Sequence, residues 1–182
     1  MIVTKTIRVG LVIVLAIAAL SGLFILDQHV RADEYERFLT LTEKAEGLME
    51  MHIDRGQTLF KPNMDSAPYM RAWQDYGEDA RDTSTKLAVV KERMSDSSFL
   101  PWHSEIQEAN DDFLQHIGAW MARYEDEYEF SQYLSPESTI DPPKVSTDIS
   151  ITFELAKESS REAIPPLFKR DFVERHAQEF EG

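Results

Sequence analysis

VGLVIVLAIAALSGLFIL, residues 9–26, runs for 18 positions without a charge, with Lys5 and Arg8 just before it. As a helix rising 1.5 Å per residue it reaches about 27 Å, close to the hydrocarbon thickness of a bilayer. The stretch divides the chain into a short basic N-terminus at 1–8, an apolar span at 9–26, and a polar remainder at 27–182. As a signal-anchor the span stays in the membrane, with its basic flank in the cytoplasm. As a signal peptide it is removed: Val30-Arg31-Ala32 puts small residues at both positions of an A-x-A-like site, and the mature chain starts at Asp33. Eighteen residues exceed the apolar core of about 7–15 that is usual for a signal peptide, so the retained anchor is the preferred reading. Both readings put the bulk of the chain outside the cytoplasm, periplasmic or extracellular on a cell inner membrane.

Removing the first 26 of 182 residues leaves 156, enough for one domain with a core. The formal charge is −14; Lys5 and Arg8 contribute +2, which leaves −16 on the remainder. A surface that acidic repels phosphate backbones, which argues against nucleic acid as a partner. Cationic ligands, basic partners or divalent metals fit it better. With no cysteine, thiolate zinc sites, disulfides, thiol catalysis and covalent haem attachment are excluded. The domain is therefore held by packing.

Downstream the apolar residues recur at helical spacing. Tyr35, Phe38, Thr42, Ala45, Met49, His52, Gly56 and Leu59 alternate steps of three and four, as a helix seam facing a core does. The seam continues directly from the apolar span and stops at Lys61-Pro62-Asn63. Ser66-Ala67-Pro68 reads as a second start, with serine as cap. Its seam is Met70, Trp73, Gly77, Ala80, Ser84, Leu87, Val90 and Met94, broken at residues 95–98. Pro101 and Trp102 open a third helix carried by Ile106, Ala109, Phe113, Ile117, Trp120, Tyr124 and Tyr128. Residues 135–146 read as a loop. A fourth helix starts near Thr147-Asp148, shows Ile149, Phe153, Ala156, Ser160 and Ala163, and ends at Pro165-Pro166. Leu167, Phe168, Phe172, Val173, His176 and Phe180 form a last amphipathic turn or two. The pattern predicts an all-α protein: an N-terminal transmembrane helix followed by an antiparallel up-down four-helix bundle.

Few residues point to chemistry. Glu108, Asp112 and His116, spaced i, i+4, i+8, share a helix stripe and offer a divalent-metal set. The Glu-x-x-His pairs of di-iron bundles are absent, and His116 between Phe113 and Trp120 also reads as a core histidine. Met49, Met51 and His52 suggest a haem or copper ligand set, with gap-filling methionine as the alternative. No nucleophile motif or phosphate-cradling loop is present. The sequence therefore predicts no enzyme activity and no cofactor.

Met51-His52-Ile53-Asp54-Arg55-Gly56-Gln57-Thr58 is the most unusual segment. Glycine inside a helix costs about 1 kcal/mol against alanine, so Gly56 either begins the fraying of the first helix or allows close approach of a neighbour or a ligand. Arg55 can fork onto a carboxylate or a similar anion, or pair with a surface acid. A membrane helix running into a long helix with Asp54-Arg55-Gly56-Gln57-Thr58 resembles the extracytoplasmic helical-bundle sensor regions of bacterial signalling receptors: some chemoreceptors, histidine kinases, diguanylate cyclases and nitrate-sensing-type domains. There the segment is commonly Glu-Arg-Gly followed by Ser, Thr or a similar residue, and a second helix carries arginine and aspartate marks, matched here by Arg81-Asp82. The resemblance covers roughly residues 5–130. Asp54 departs from the usual glutamate. Such receptors continue into a second membrane helix and a cytoplasmic output domain that the 182 residues do not contain, which leaves a receptor fragment, a degenerate copy or a stand-alone binding subunit.

The resemblance implies a sensor-like binding module for a small ligand or partner protein, with His52, Arg55 and Arg81 as polar contacts and Trp73 and Trp120 as aromatic walls. The competing expectations are an envelope protein acting by helix-face docking, with a homodimer seam through Tyr35, Phe38 and Met49, and a metal- or haem-binding bundle.

Overall fold

The computed structural model describes residues 2–134 and 149–175, and among them every regular element is a helix. Helix α1 is Ile2–Leu59, α2 Ser66–Ser95, α3 Ser104–Tyr133, α4 Ile149–Glu162 and α5 Lys169–Arg175. The expected loop at 135–146, the helix start at Thr147-Asp148, and His176 and Phe180 lie outside the described residues.

The apolar span and the first seam form one uninterrupted helix of 58 residues, about 87 Å long. It is long and apolar enough near its N-terminus to cross a membrane. Its large apolar side chains from Val14 to Leu26 are exposed, Leu20 at 66% and Leu23 at 63%. The chain then turns through Asn63, which takes the left-handed conformation at φ 61°, a region that asparagine tolerates. The cap of α2 is Asp65 rather than Ser66, which becomes the first helical residue. Pro101 and Trp102 precede α3, whose cap is His103.

The chain forms two compact units. The larger, Arg37–Ala163, holds the rest of α1 with α2, α3 and α4. Its core is Phe38, Ala45, Met49, Ala80, Leu87, Val90, Met94, Ile106, Ala109, Phe113, Ile117 and Tyr124. Phe38 and Phe113 meet edge to face at 6.3 Å. Along α2 and α3 the meeting residues are Gly77 with Ser131, Arg81 with Tyr128, and Met94 with Asn110. Along α3 and α4 they are His116 with Thr152 and Asp112 with Ser159. Seam positions shift where polarity competes: Thr83 is buried instead of Ser84, Ala72 instead of Met70, and Glu127 and Ser131 continue the α3 seam where Tyr128 was expected.

In the smaller unit, Met1–Glu36 with Ile164–Gly182, the segment after α4 packs on α1. Phe172 meets Tyr35 edge to face at 5.1 Å, and Phe168 lies 5.0 Å from the His29 ring. The Arg175 guanidinium covers Phe172 at 4.9 Å and reaches Glu36 at 3.3 Å. Tyr35, Phe38 and Met49 are 0%, 1% and 4% exposed. These three seam side chains are therefore packed inside the chain and not on an open helix face.

Candidate functional site

One turn of each of three helices builds the site. α1 contributes His52 and Gly56, α2 contributes Tyr76 and Asp79, and α3 contributes Arg123, Tyr124 and Glu127. The spacings i, i+4 and i, i+3 put each set on one face of its helix. His52 is 1% exposed. Its Nδ1 is 2.8 Å from Asp79 Oδ2 and its Nε2 is 3.0 Å from Glu127 Oε2. The second Glu127 oxygen, Oε1, accepts from Arg123 Nε at 2.7 Å.

Both His52 nitrogens face carboxylates, so both must donate, and the ring is an imidazolium. Burial pushes the imidazole toward neutrality, but hydrogen bonds and charge from Glu127 and Asp79 outweigh it and raise its pKa above the ordinary histidine value. His52 and Arg123 balance Asp79 and Glu127, so the quartet is neutral as a whole. A buried charged set needs that balance to avoid a large desolvation penalty.

Aromatic rings wall the quartet. Tyr76 stacks on His52 at 4.2 Å with 24° between planes, and Tyr124 meets it edge-on at 4.6 Å. Burial, followed by the Glu127 charge, pushes the Tyr76 phenol up to about 12. Burial likewise raises Tyr124, whose hydroxyl has no hydrogen-bond partner. Gly56 makes the stack possible: a Cβ there would lie 2.9 Å from Tyr76 Cε2. The close approach expected at Gly56 is thus made by a ring of α2.

A second histidine in the same unit is held in the opposite state. Trp120 Nε1 donates to His116 Nε2 at 3.1 Å, which makes that nitrogen an acceptor. His116 Nδ1 then carries the proton and donates to Thr152 Oγ1 at 3.1 Å, and Thr152 donates on to the Ile149 carbonyl. Burial lowers His116 to about 4. Trp120 lies 5.4 Å from Tyr124, which joins the two histidines through one aromatic row.

Of the residues expected to contact a ligand, His52 occupies the centre of the site. Trp73 stands one ring away, 5.8 Å from Tyr76, in a cluster with Phe60 and Phe130. Trp120 flanks the site through Tyr124. Arg55 and Arg81 are not part of it. Arg55 is exposed on α1. Arg81 donates to the Tyr128 hydroxyl and lies 5.0 Å over its ring, in an open cleft of about 320 Å³ with Glu78, Asp82 and Thr85.

The metal set does not assemble. His116 uses both nitrogens, Asp112 accepts from Ser159, and Glu108 is exposed. Among the described residues no three His, Cys, Asp or Glu side chains gather for a metal ion. Of the Met49, Met51 and His52 set considered for haem or copper, His52 has both ring nitrogens against carboxylates, and Met51 is exposed. Asp79, Glu127 and Arg123 went unforeseen. Their signal was Glu127 at a seam position, three after Tyr124, with Arg123 one turn before it. No protein-family model, curated protein or solved structure matches the chain.

Proposed function

We propose that this protein is a single-pass, inner-membrane-anchored binding module, with an antiparallel up-down four-helix bundle on the periplasmic or extracellular side that acts as a sensor. The residue pairs of α2 with α3 and of α3 with α4 support the up-down order: partner numbers fall as residue numbers rise along α2, and again along α3 toward α4. Retention of the anchor is supported by Gln28 and His29, which cleavage after Ala32 would remove. Gln28 is buried and His29 packs on Phe168.

The observation that carries the sensing role is the His52 quartet. It ties three helices together by charge, and its central residue stands on the helix that also holds the apolar span. Sensor bundles need an element with two discrete arrangements that a ligand can bias. Re-pairing Asp79 is such a change. The Arg81 cleft lies on the same helix, with Glu78 beside Asp79 and Asp82 three residues on. Two carboxylates, one guanidinium and a tyrosine face suit a small amine or amino acid. This reading keeps the resemblance to receptor sensor regions, keeps Arg81 as a ligand contact and drops Arg55.

Ile151, Phe153 and Leu155 of α4, at 61%, 40% and 48% exposure, support a second reading in which a partner protein docks on the bundle. Thermal unfolding of the full chain in nanodiscs, with amino acids, polyamines, small anions and divalent metals, separates the two. A ligand at 100 times its Kd adds about 2.7 kcal/mol. A shift lost on Arg81→Ala supports the sensor; no shift with any compound class leaves protein docking.

A further inference from the structure

We infer that residues 165–170 form a collar that lies on the bilayer, with Leu167 in the acyl boundary and Lys169 and Arg170 against anionic lipid headgroups. The inference rests on the membrane-anchored reading of residues 9–26.

The register along α1 sets the depth. His29 is three residues beyond Leu26, about 4.5 Å along the axis, and Tyr35 is nine beyond, about 13.5 Å. The headgroup layer on each side of a bilayer is about 5–7 Å thick. Phe168 packs on His29 and Phe172 on Tyr35. Phe168 therefore stands at headgroup depth, and the chain climbs away from the membrane through Phe172 to the Arg175–Glu36 pair. Leu167 adjoins Phe168, in the turn that Phe168 N closes onto the Pro165 carbonyl, at the start of that climb.

The side chains match that position. Pro165 is buried, whereas Leu167 is 54% exposed, which a water-facing turn does not require. Lys169 and Arg170 open α5, where the helix dipole disfavours cations. Their placement also suits a negative lipid surface. Arg170 also pairs with Glu174 at 2.7 Å, both exposed, so Lys169 is the principal cation. In a chain of net charge −14, a lysine-arginine pair beside an exposed leucine, at the level where the apolar span ends, commits this surface to the bilayer.

The chain has no cysteine, so a single introduced thiol can be spin-labelled without background. Leu20→Cys, Leu167→Cys and Met51→Cys proteins are labelled as full chains in nanodiscs. Each is read by relaxation with oxygen, which partitions into lipid, and with a water-soluble nickel chelate. The expected result is lipid-type accessibility at 20 and 167 and aqueous accessibility at 51. Position 167 should sit deeper in discs containing phosphatidylglycerol than in pure phosphatidylcholine, and Lys169→Glu with Arg170→Glu should abolish that difference. An aqueous label at 167 with a lipid label at 20 overturns the collar and keeps the anchor. An aqueous label at 20 overturns the anchor itself. A label at 167 shielded from both reagents means that protein covers Leu167, which also overturns the collar. A depth independent of lipid charge overturns the headgroup contact.

Discussion

Asp79 and Glu127 hold His52 from opposite sides, at 2.8 Å on Nδ1 and 3.0 Å on Nε2, so the ring is a doubly donating cation that staples α1 to α2 and α3. Removing one member of a buried charged set leaves its partners uncompensated, at a cost of about 3–5 kcal/mol. His52→Ala should lower unfolding stability in urea at pH 7 by that order. Asp79→Asn should cost less, because Asp79 is 34% exposed and its carboxylate is already partly solvated, and Glu127 still pairs with His52. Equal effects of the two changes would show that the quartet is not the buried charge set described.

The two histidines give stability two opposite slopes with pH. His52 has a raised folded pKa, so its contribution is complete below the unfolded value of about 6.5 and is lost as pH rises through the folded value. His116 is lowered to about 4, so it favours folding above about 6.5 and loses up to about 3 kcal/mol as pH falls toward 4. The His116 contribution therefore peaks on the neutral side and the His52 contribution on the acid side. Long-range nitrogen-proton NMR at pH 6.5 should show His52 doubly protonated and His116 neutral with its proton on Nδ1. A His116 proton on Nε2 would contradict the Trp120 and Thr152 hydrogen bonds.

Three glycines in the helices should answer differently to alanine. Gly47 has open space, so Gly47→Ala should stabilise by roughly 0.5–1 kcal/mol through helix propensity. Gly56→Ala sets a Cβ 2.9 Å from the Tyr76 ring, and overpacking of about 1–3 kcal/mol should exceed the propensity gain. Gly77→Ala, whose Cβ would fall on the Ser131 side chain, should be the most destabilising of the three. Denaturant midpoints at constant slope check the order.

Tyr124 carries a buried hydroxyl without a partner. Tyr124→Phe keeps the ring on His52 and removes the polar atom, so it should leave stability unchanged or raise it by about 1 kcal/mol. A loss above that size would mean that the hydroxyl is bonded.

Helices and most core positions were legible because burial leaves a three-four rhythm. All eight seam residues of α1 from Tyr35 to Leu59 are buried or half-buried. The rhythm failed where a polar residue took a seam position. Glu127 sits inside because His52 on α1 pairs with it, and spacing within one helix carries no record of that partner. His52 was visible as an odd residue on an apolar stripe. That its companions would be Asp79 and Glu127 and not Arg55 and Arg81 depends on which turns meet across helices, which a single chain's pattern leaves open. The cap of α2 shifted by one residue, to Asp65, because serine and aspartate both suit an N-terminus.

Helix α1 has no proline and no break from Ile2 to Leu59. Starting a helix in water is unfavourable, because several residues must be ordered for the first hydrogen bond. Inside a bilayer the backbone has no alternative to that state. On the proposed membrane-anchored reading, residues 27–59 need only extend turns that already exist. The acidic stretch Asp33-Glu34-Tyr35-Glu36 can then be helical at the start of folding, and α1 becomes a preformed template on which the later helices condense.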